Sequence, residues 1–143
     1  MQVRRVVTGI DADGRSVVSW DDSERTTGGA DGGVVWIWST TSMPPELAGS
    51  DPTLQEWKLQ PPPNGVNWQL VICPPGVERT AMHETNTVDL VMILSGEIWL
   101  MLDDQEVRLG PYDSVVQRAT IHAWQNRGTE TALMLVSMIS TEV

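Results

Sequence analysis

The second half of this chain is built from strand-length apolar segments separated by turn signals, a pattern that few folds can accommodate. From position 66 onward the expected strands are 66–73, 79–83, 88–94, 97–102, 106–109, 114–117, 122–126 and 131–139. The breaks are Pro74-Pro75-Gly76, Ser95-Gly96, Asp103-Asp104 and Gly110-Pro111. Proline lacks the N–H that a ladder needs, and glycine tolerates the positive φ of tight turns. Many short strands at this spacing predict an all-β sandwich or barrel. Segment 97–102 is apolar on both faces after Glu97. It is expected to pack inward on a cavity and outward on a second layer.

The first part of the chain is less regular. Residues 3–10 form a β-branched run that leads into the turn signal Asp11-Ala12-Asp13-Gly14, and 16–20 returns as a second strand. Residues 26–33 read as a Gly-rich loop and 34–38 as a third strand. Together these predict an N-terminal arm of antiparallel strands. Residues 39–65 are irregular, with prolines at 44, 45 and 61–63 bracketing a short stretch, 52–58. One or two helical turns are expected there, capped by Asp51 with Pro52 at the first position. So long a connection serves either as a lid or as a surface wrap. At 143 residues the chain is expected to be one domain. Residues 1–65 would supply the arm and covering loop, and 66–140 the barrel core.

Nine Lys and Arg against nineteen Asp and Glu give a net charge of −10. Such a chain repels phosphate backbones and anionic membrane surfaces, so neither a nucleic acid nor a membrane is an expected partner. Cys73 is the lone cysteine and cannot form an internal disulfide. The apolar runs fall short of the ~18 residues of a membrane span. The N-terminus lacks the apolar core of a signal peptide. A cytoplasmic setting is expected. Seven Trp and seven Met, with no Phe, carry much of the apolar filling.

His83 and His122 are the only histidines. Strand alternation puts His83 and Thr85 on one face, aligns Asp89 with Val91 and Ile93, and aligns His122 with Trp124 and Asn126. If these faces line one interior, two imidazoles and a carboxylate converge among Trp and Met. Two His and one carboxylate form a facial triad suited to iron or manganese; zinc tolerates it with tetrahedral geometry. Without a metal the same groups form a His–Asp acid–base pair. His83, Asp89 and His122 are therefore the candidate catalytic residues and metal ligands. Thr85, Trp99, Met101, Gln117 and Trp124 are the candidate substrate-binding residues. Thr85 or Gln117 would add a neutral ligand or orient a water. No nucleophile elbow, Walker loop, dinucleotide fingerprint or Cys-x-x-Cys is present.

The ordered pair of histidine segments resembles the cupin superfamily. Its first motif is Gly, five residues, His-x-His, three or four residues, Glu, six residues, Gly. Here His83, Thr85, Asp89 and Gly96 stand at the last four landmarks, with Gly76 one residue further out. Its second motif ends Pro-x-Gly-x-x-His-x-x-x-Asn, where this chain has Gln117, Ala119, His122 and Asn126. The resemblance, over about residues 66 to 140, implies a jelly-roll barrel and a small-molecule enzyme using a divalent metal (Fe, Mn or Zn). Lyase- or isomerase-like chemistry on an apolar or aromatic organic substrate is the leading expectation, with dioxygenation if the metal is iron. A metal-free His–Asp enzyme and a non-catalytic ligand-binding barrel are the alternatives. It also implies a homodimer, with Ile98, Leu100 and Leu102 as apolar outer faces.

Overall fold

The computed structural model describes residues 2–23, 27–28 and 33–143. Among them are eleven strands: β1 (Arg5–Ile10), β2 (Ser16–Asp22), β3 (Thr27–Gly28), β4 (Val34–Thr40), β5 (Val66–Cys73), β6 (Thr87–Ser95), β7 (Ile98–Met101), β8 (Glu106–Leu109), β9 (Ser114–Arg118), β10 (Ala123–Gln125) and β11 (Ala132–Ser140). A six-stranded antiparallel sheet runs β3-β4-β5-β11-β6-β9, and a three-stranded sheet runs β10-β7-β8. No described helix is long and apolar enough to cross a membrane.

Alternation along β11 divides the molecule. Met134, Val136 and Met138 point into a core that also holds Val91, Ile93, Ile98, Leu100 and Leu109. Leu133 and Leu135 point the other way, onto a smaller cluster of Val35, Ile37 and Leu70. The core lies between the two sheets, which is the jelly-roll barrel expected from the sequence. Gly96 takes φ +74, and a Cβ there would stand 2.7 Å from the Ala132 Cα, so the β6–β7 turn needs glycine.

Three expectations change. First, 34–38 does not belong to an N-terminal arm. β1 and β2 pair as a separate hairpin, whereas β4 pairs with β5 in the main sheet. Val34 through Ile37 are buried on both faces, which a two-stranded arm could not achieve. Second, 79–83 is not a strand: only His83 is bridged, to His122, and residues 76–81 are exposed. Third, Ile98 and Leu100 are not outer faces for a second subunit but core residues, 1% and 5% exposed, with Leu102 packed against the same core. The three-stranded sheet is small, so its apolar side is fully used in closing the barrel. Most of the predicted 26–33 loop lies outside the described residues; Thr27–Gly28 forms β3.

Asp51 caps a single 3-10 turn, Pro52–Leu54, by accepting from the Thr53 N–H at 2.9 Å. The same carboxylate holds Arg5, which is 5% exposed and donates to Asp51, to Asp22 at 3.1 Å and to the Ile37 carbonyl at 3.1 Å. The guanidinium also lies 5.6 Å from the Trp38 ring and 5.8 Å from Trp20. One cation thus ties the hairpin, β4 and the covering loop together. Hydrogen bonding from Arg5, the largest influence, holds the Asp51 carboxyl well below the usual carboxylate range, against the opposing effect of burial. A carboxyl lowered in the folded state stabilises the fold above its unfolded value of about 4, and this contribution is lost as pH falls. Asp51→Asn is therefore expected to flatten the decline in stability below about pH 4 that the parent chain shows by urea titration at stepped pH. Equal slopes in the two proteins would contradict the clasp.

Candidate functional site

The segment 81–89 and the segment 117–124 meet at one end of the inner face. His83 and His122 form an antiparallel bridge, each N–H donating to the other's carbonyl at 2.9 Å. Their rings lie 4.4 Å apart between centroids at an angle of 52°. Each Nδ1 is held by a carbonyl two residues upstream: Ala81 O at 2.8 Å for His83, and Thr120 O at 2.9 Å for His122. A carbonyl only accepts, so each Nδ1 carries a proton, and the tautomer this selects leaves the lone pair on Nε2. Burial is the largest influence on His122 and lowers its pKa; the charge of His83 adds to this, while Thr120 O and Asp89 oppose it. His122 is thereby kept in the neutral, basic form. The Trp124 ring stands edge-on to it at 5.8 Å.

β6 presents Thr87, Asp89, Val91 and Ile93 to the interior, with Thr85 just ahead of it. Thr87 Oγ1 donates to Asp89 Oδ1 at 2.6 Å, and Thr85 Oγ1 lies 2.6 Å from Thr87 Oγ1. Because the Thr87 proton is spent on the carboxylate, Thr85 is the donor in the second bond. All three side chains are buried. Burial pushes the Asp89 carboxyl up from its ordinary range; the Thr87 bond and the charges of His122 and His83 pull the other way. The carboxylate is therefore coupled electrostatically to both rings.

The remaining candidates divide. Trp124 pairs with Leu100 and packs against the core beside His122. Gln117 is buried opposite Asp89, and its amide donates to Thr120 O at 3.1 Å and to Thr120 Oγ1. That pins the turn carrying His122, in which Ala119 takes φ 49. Trp99 and Met101 are not brought to the histidines. They alternate with Ile98 and Leu100 and face the other side of β7, where the Arg127 guanidinium lies 4.4 Å from the Trp99 ring and 3.7 Å from Met101 Sδ. Asn126 donates to the Cys73 and Glu130 carbonyls at 2.8 Å and acts as a backbone clamp. Burial pushes the Cys73 thiol up to about 11, far from the thiolate a nucleophile needs. Sequence reasoning passed over Thr87, although it sits two residues from both Thr85 and Asp89 on the same alternating face.

A divalent ion needs lone pairs that converge. Both imidazoles are oriented through Nδ1 by backbone carbonyls, as metal-binding histidines commonly are. The full set of three is not gathered, for among the described residues no three His, Cys, Asp or Glu side chains group closely enough to hold an ion. Nor do His83, Asp89 or His122 line either of two cavities of about 410 and 380 Å³.

Two packed antiparallel sheets with paired histidines at one end of their shared interior define a small β-barrel of the jelly-roll class. The chain belongs to the cupin family: the cupin-domain family model matches residues 69–138. The cupin-domain-containing oxidoreductase fogC of Aspergillus ruber is 34% identical over 96% of this chain and 72% of its own length. The phomopsin biosynthesis cluster protein C′ of Diaporthe leptostromiformis is 34% identical over 86% of this chain and 70% of its own length. Among solved structures, a cupin with a double-stranded β-helix fold from Methanocaldococcus jannaschii is 22% identical, covers 52% of this chain and 70% of its own, and superposes with a TM-score of 0.48.

Thr87→Val keeps the shape of the side chain and removes its hydroxyl. It is expected to move the Asp89 carboxyl further above its ordinary range, as read by carbon-detected NMR titration, while Thr87→Ser leaves it in place. An unmoved Asp89 in Thr87→Val would break the Thr85–Thr87–Asp89 chain.

Proposed function

We propose that this chain is a cupin-type small-molecule enzyme whose reactive centre is the His83–His122 pair with Asp89. The observation that carries the reading is the shared tautomer, in which two adjacent imidazoles are both fixed through Nδ1 and so both offer Nε2. The relatives support an enzyme, since one is named a cupin-domain-containing oxidoreductase and another belongs to a biosynthesis cluster.

His83 and His122 would hold a divalent ion through Nε2, and Asp89 would join them only by moving from its present position, where the three are not gathered. When bound, such an ion supplies Lewis-acid polarisation of a carbonyl or enolate oxygen and, if it is iron, redox chemistry. The chain's own residues do the rest. Where no ion occupies Nε2, His122, whose pKa burial lowers, would accept a proton there. The Asp89 carboxyl, held by Thr87 and pushed up by burial, would in its ionised form favour the imidazolium that results. The Trp124 ring would wall His122 on one side. Lyase- or isomerase-like turnover of an apolar or aromatic substrate uses these steps, and an oxidation would use the same centre with iron.

A metal-free reading is favoured by a specific observation, the ungathered third ligand. In that reading the His122–Asp89 pair alone does the proton transfer. Metal analysis of the purified chain by mass spectrometry, alongside His83→Ala and His122→Ala, separates the two. Metal near one equivalent, reduced at least tenfold by either substitution, is the expected result. No uptake after reconstitution with iron, manganese or zinc would overturn the metal-bound form and leave proton transfer.

We also infer a homodimer of the chain in solution, through the outer face of the six-stranded sheet. Leu90, Met92 and Leu94 on β6, Val116 on β9 and Trp68 on β5 are exposed there and lie on neighbouring strands. Light scattering is expected to give twice the chain mass and to fall to the chain mass for Leu90→Asp/Met92→Asp. A monomer mass for the parent chain would overturn it.

A further inference from the structure

The two backbone carbonyls that set the histidine tautomers are held differently. The Thr120 carbonyl accepts the His122 Nδ1–H at 2.9 Å and a second donor, the Gln117 Nε2–H, at 3.1 Å. The same amide donates to Thr120 Oγ1. The Ala81 carbonyl accepts the His83 Nδ1–H and no other side-chain donor among the described residues. Gln117 and His122 are each 3% exposed, whereas residues 118–121 between them lie at the surface. A buried amide thus reaches to the one peptide of an exposed turn that orients the buried ring.

The backbone of the turn does not fix that peptide by itself. Ala119, at φ 49, donates its N–H to the Thr87 carbonyl at 3.0 Å and anchors the start of the turn. The Ile121 N–H belongs to the same peptide as the Thr120 carbonyl, and it donates to no group among the described residues. Rotating the peptide by half a turn therefore breaks no bond of the N–H. It would aim the Ile121 N–H at the His122 ring in place of the carbonyl. Nδ1 would then accept, and the neutral ring would carry its proton on Nε2. A histidine side chain free in water prefers that Nε2–H form, so the form found here is imposed by its surroundings. Gln117 opposes the rotation, because its amide donor would meet the Ile121 N–H, another donor, and lose a buried acceptor.

We propose that Gln117 is a positioning residue that holds the Thr120 carbonyl toward His122 and so fixes the neutral ring in its Nδ1–H form, with Nε2 free. It acts through Thr120 and is neither a ligand nor a substrate contact. In giving this a part in the chemistry the inference rests on the reading above; the control of the tautomer does not. His83 lacks such a guard. The pair therefore consists of one ring whose tautomer is locked from the core and one whose tautomer follows an exposed segment.

Long-range proton–nitrogen NMR of the labelled, chelator-treated chain reads the tautomer directly at a pH where both rings are neutral, and the chain has only two histidines to resolve. His83→Ala assigns the signals. In the parent chain His122 is expected in the Nδ1–H form. Gln117→Met keeps the length of the side chain and removes its donors, and is expected to shift the His122 balance toward Nε2–H about fivefold. Gln117→Leu is expected to do the same, so the test does not hang on one variant folding. Thr120→Val removes the hydroxyl acceptor and keeps the carbonyl, and is expected to leave the balance within about twofold. His83 is expected to keep the parent tautomer throughout. A Gln117 variant that melts earlier but leaves the His122 tautomer unchanged would make Gln117 a packing residue and overturn the proposal. So would a parent His122 already protonated on Nε2, or an equal shift at His83. The reactive-centre reading fails separately, since a parent chain that takes up no metal would still show the lock.

Discussion

The register of β11 between β5 and β6 is the constraint on which the rest of the molecule depends. Nine residues of this strand alternate between two environments, and both neighbouring strands inherit the alternation through antiparallel pairing. A slip of one residue would send Met134, Val136 and Met138 to the surface and Leu133 and Leu135 inward. It would also turn Asp89 out, since Asp89 faces Met138. The position of the carboxylate is thus a consequence of apolar packing. The apolar side chains fix the register, and the polar row of Ser39, Asn67, Asp89 and Gln117 is carried inside with them.

Burying that row requires each polar group to be met, and the protein does this locally. Asp89 receives a hydroxyl from its own strand, Gln117 spends its amide on the turn beside it, and Asn67 ties down the covering loop. The histidines follow the same rule with backbone carbonyls. Each bond consumes one side of the imidazole and leaves the other free, so structural satisfaction and chemical readiness come from the same contact. Burial then favours the neutral ring of His122, and the same burial raises the Asp89 carboxyl against the Thr87 bond and the charges of the two rings.

The covering loop, open between lid and wrap on sequence grounds, is attached to the barrel at several points. Asp51 meets Arg5, the Trp57 Nε1–H donates to Gln69 Oε1 at 3.1 Å, and the Lys58 and Leu59 carbonyls meet Asn67. These attachments are buried or half-buried and involve charge or amide groups, so releasing them together would expose several unpaired polar atoms. The loop is a wall of the barrel, which is why a cavity exists between it and the sheet.

Much of this was legible in the chain itself. Turn residues at Gly96 and Gly110 and alternating apolar runs marked most strands of the barrel, because turn geometry and side-chain alternation are local properties. The same alternation aligned Asp89 with Val91 and Ile93, and His122 with Trp124, and left open whether these faces share one interior. What sequence could not determine was which strands pair and what lies across from each face. Val34 to Ile37 reads alike as an arm or as a sheet strand, and only burial on both faces assigns it to the sheet. Trp99 and Met101 alternate with the core residues of β7 and are turned away from it by packing that depends on β8 and β10. The hydroxyl chain from Thr85 to Asp89 and the shared tautomer of the histidines depend on contacts between groups fixed by the folded backbone, and only the tertiary structure decides them.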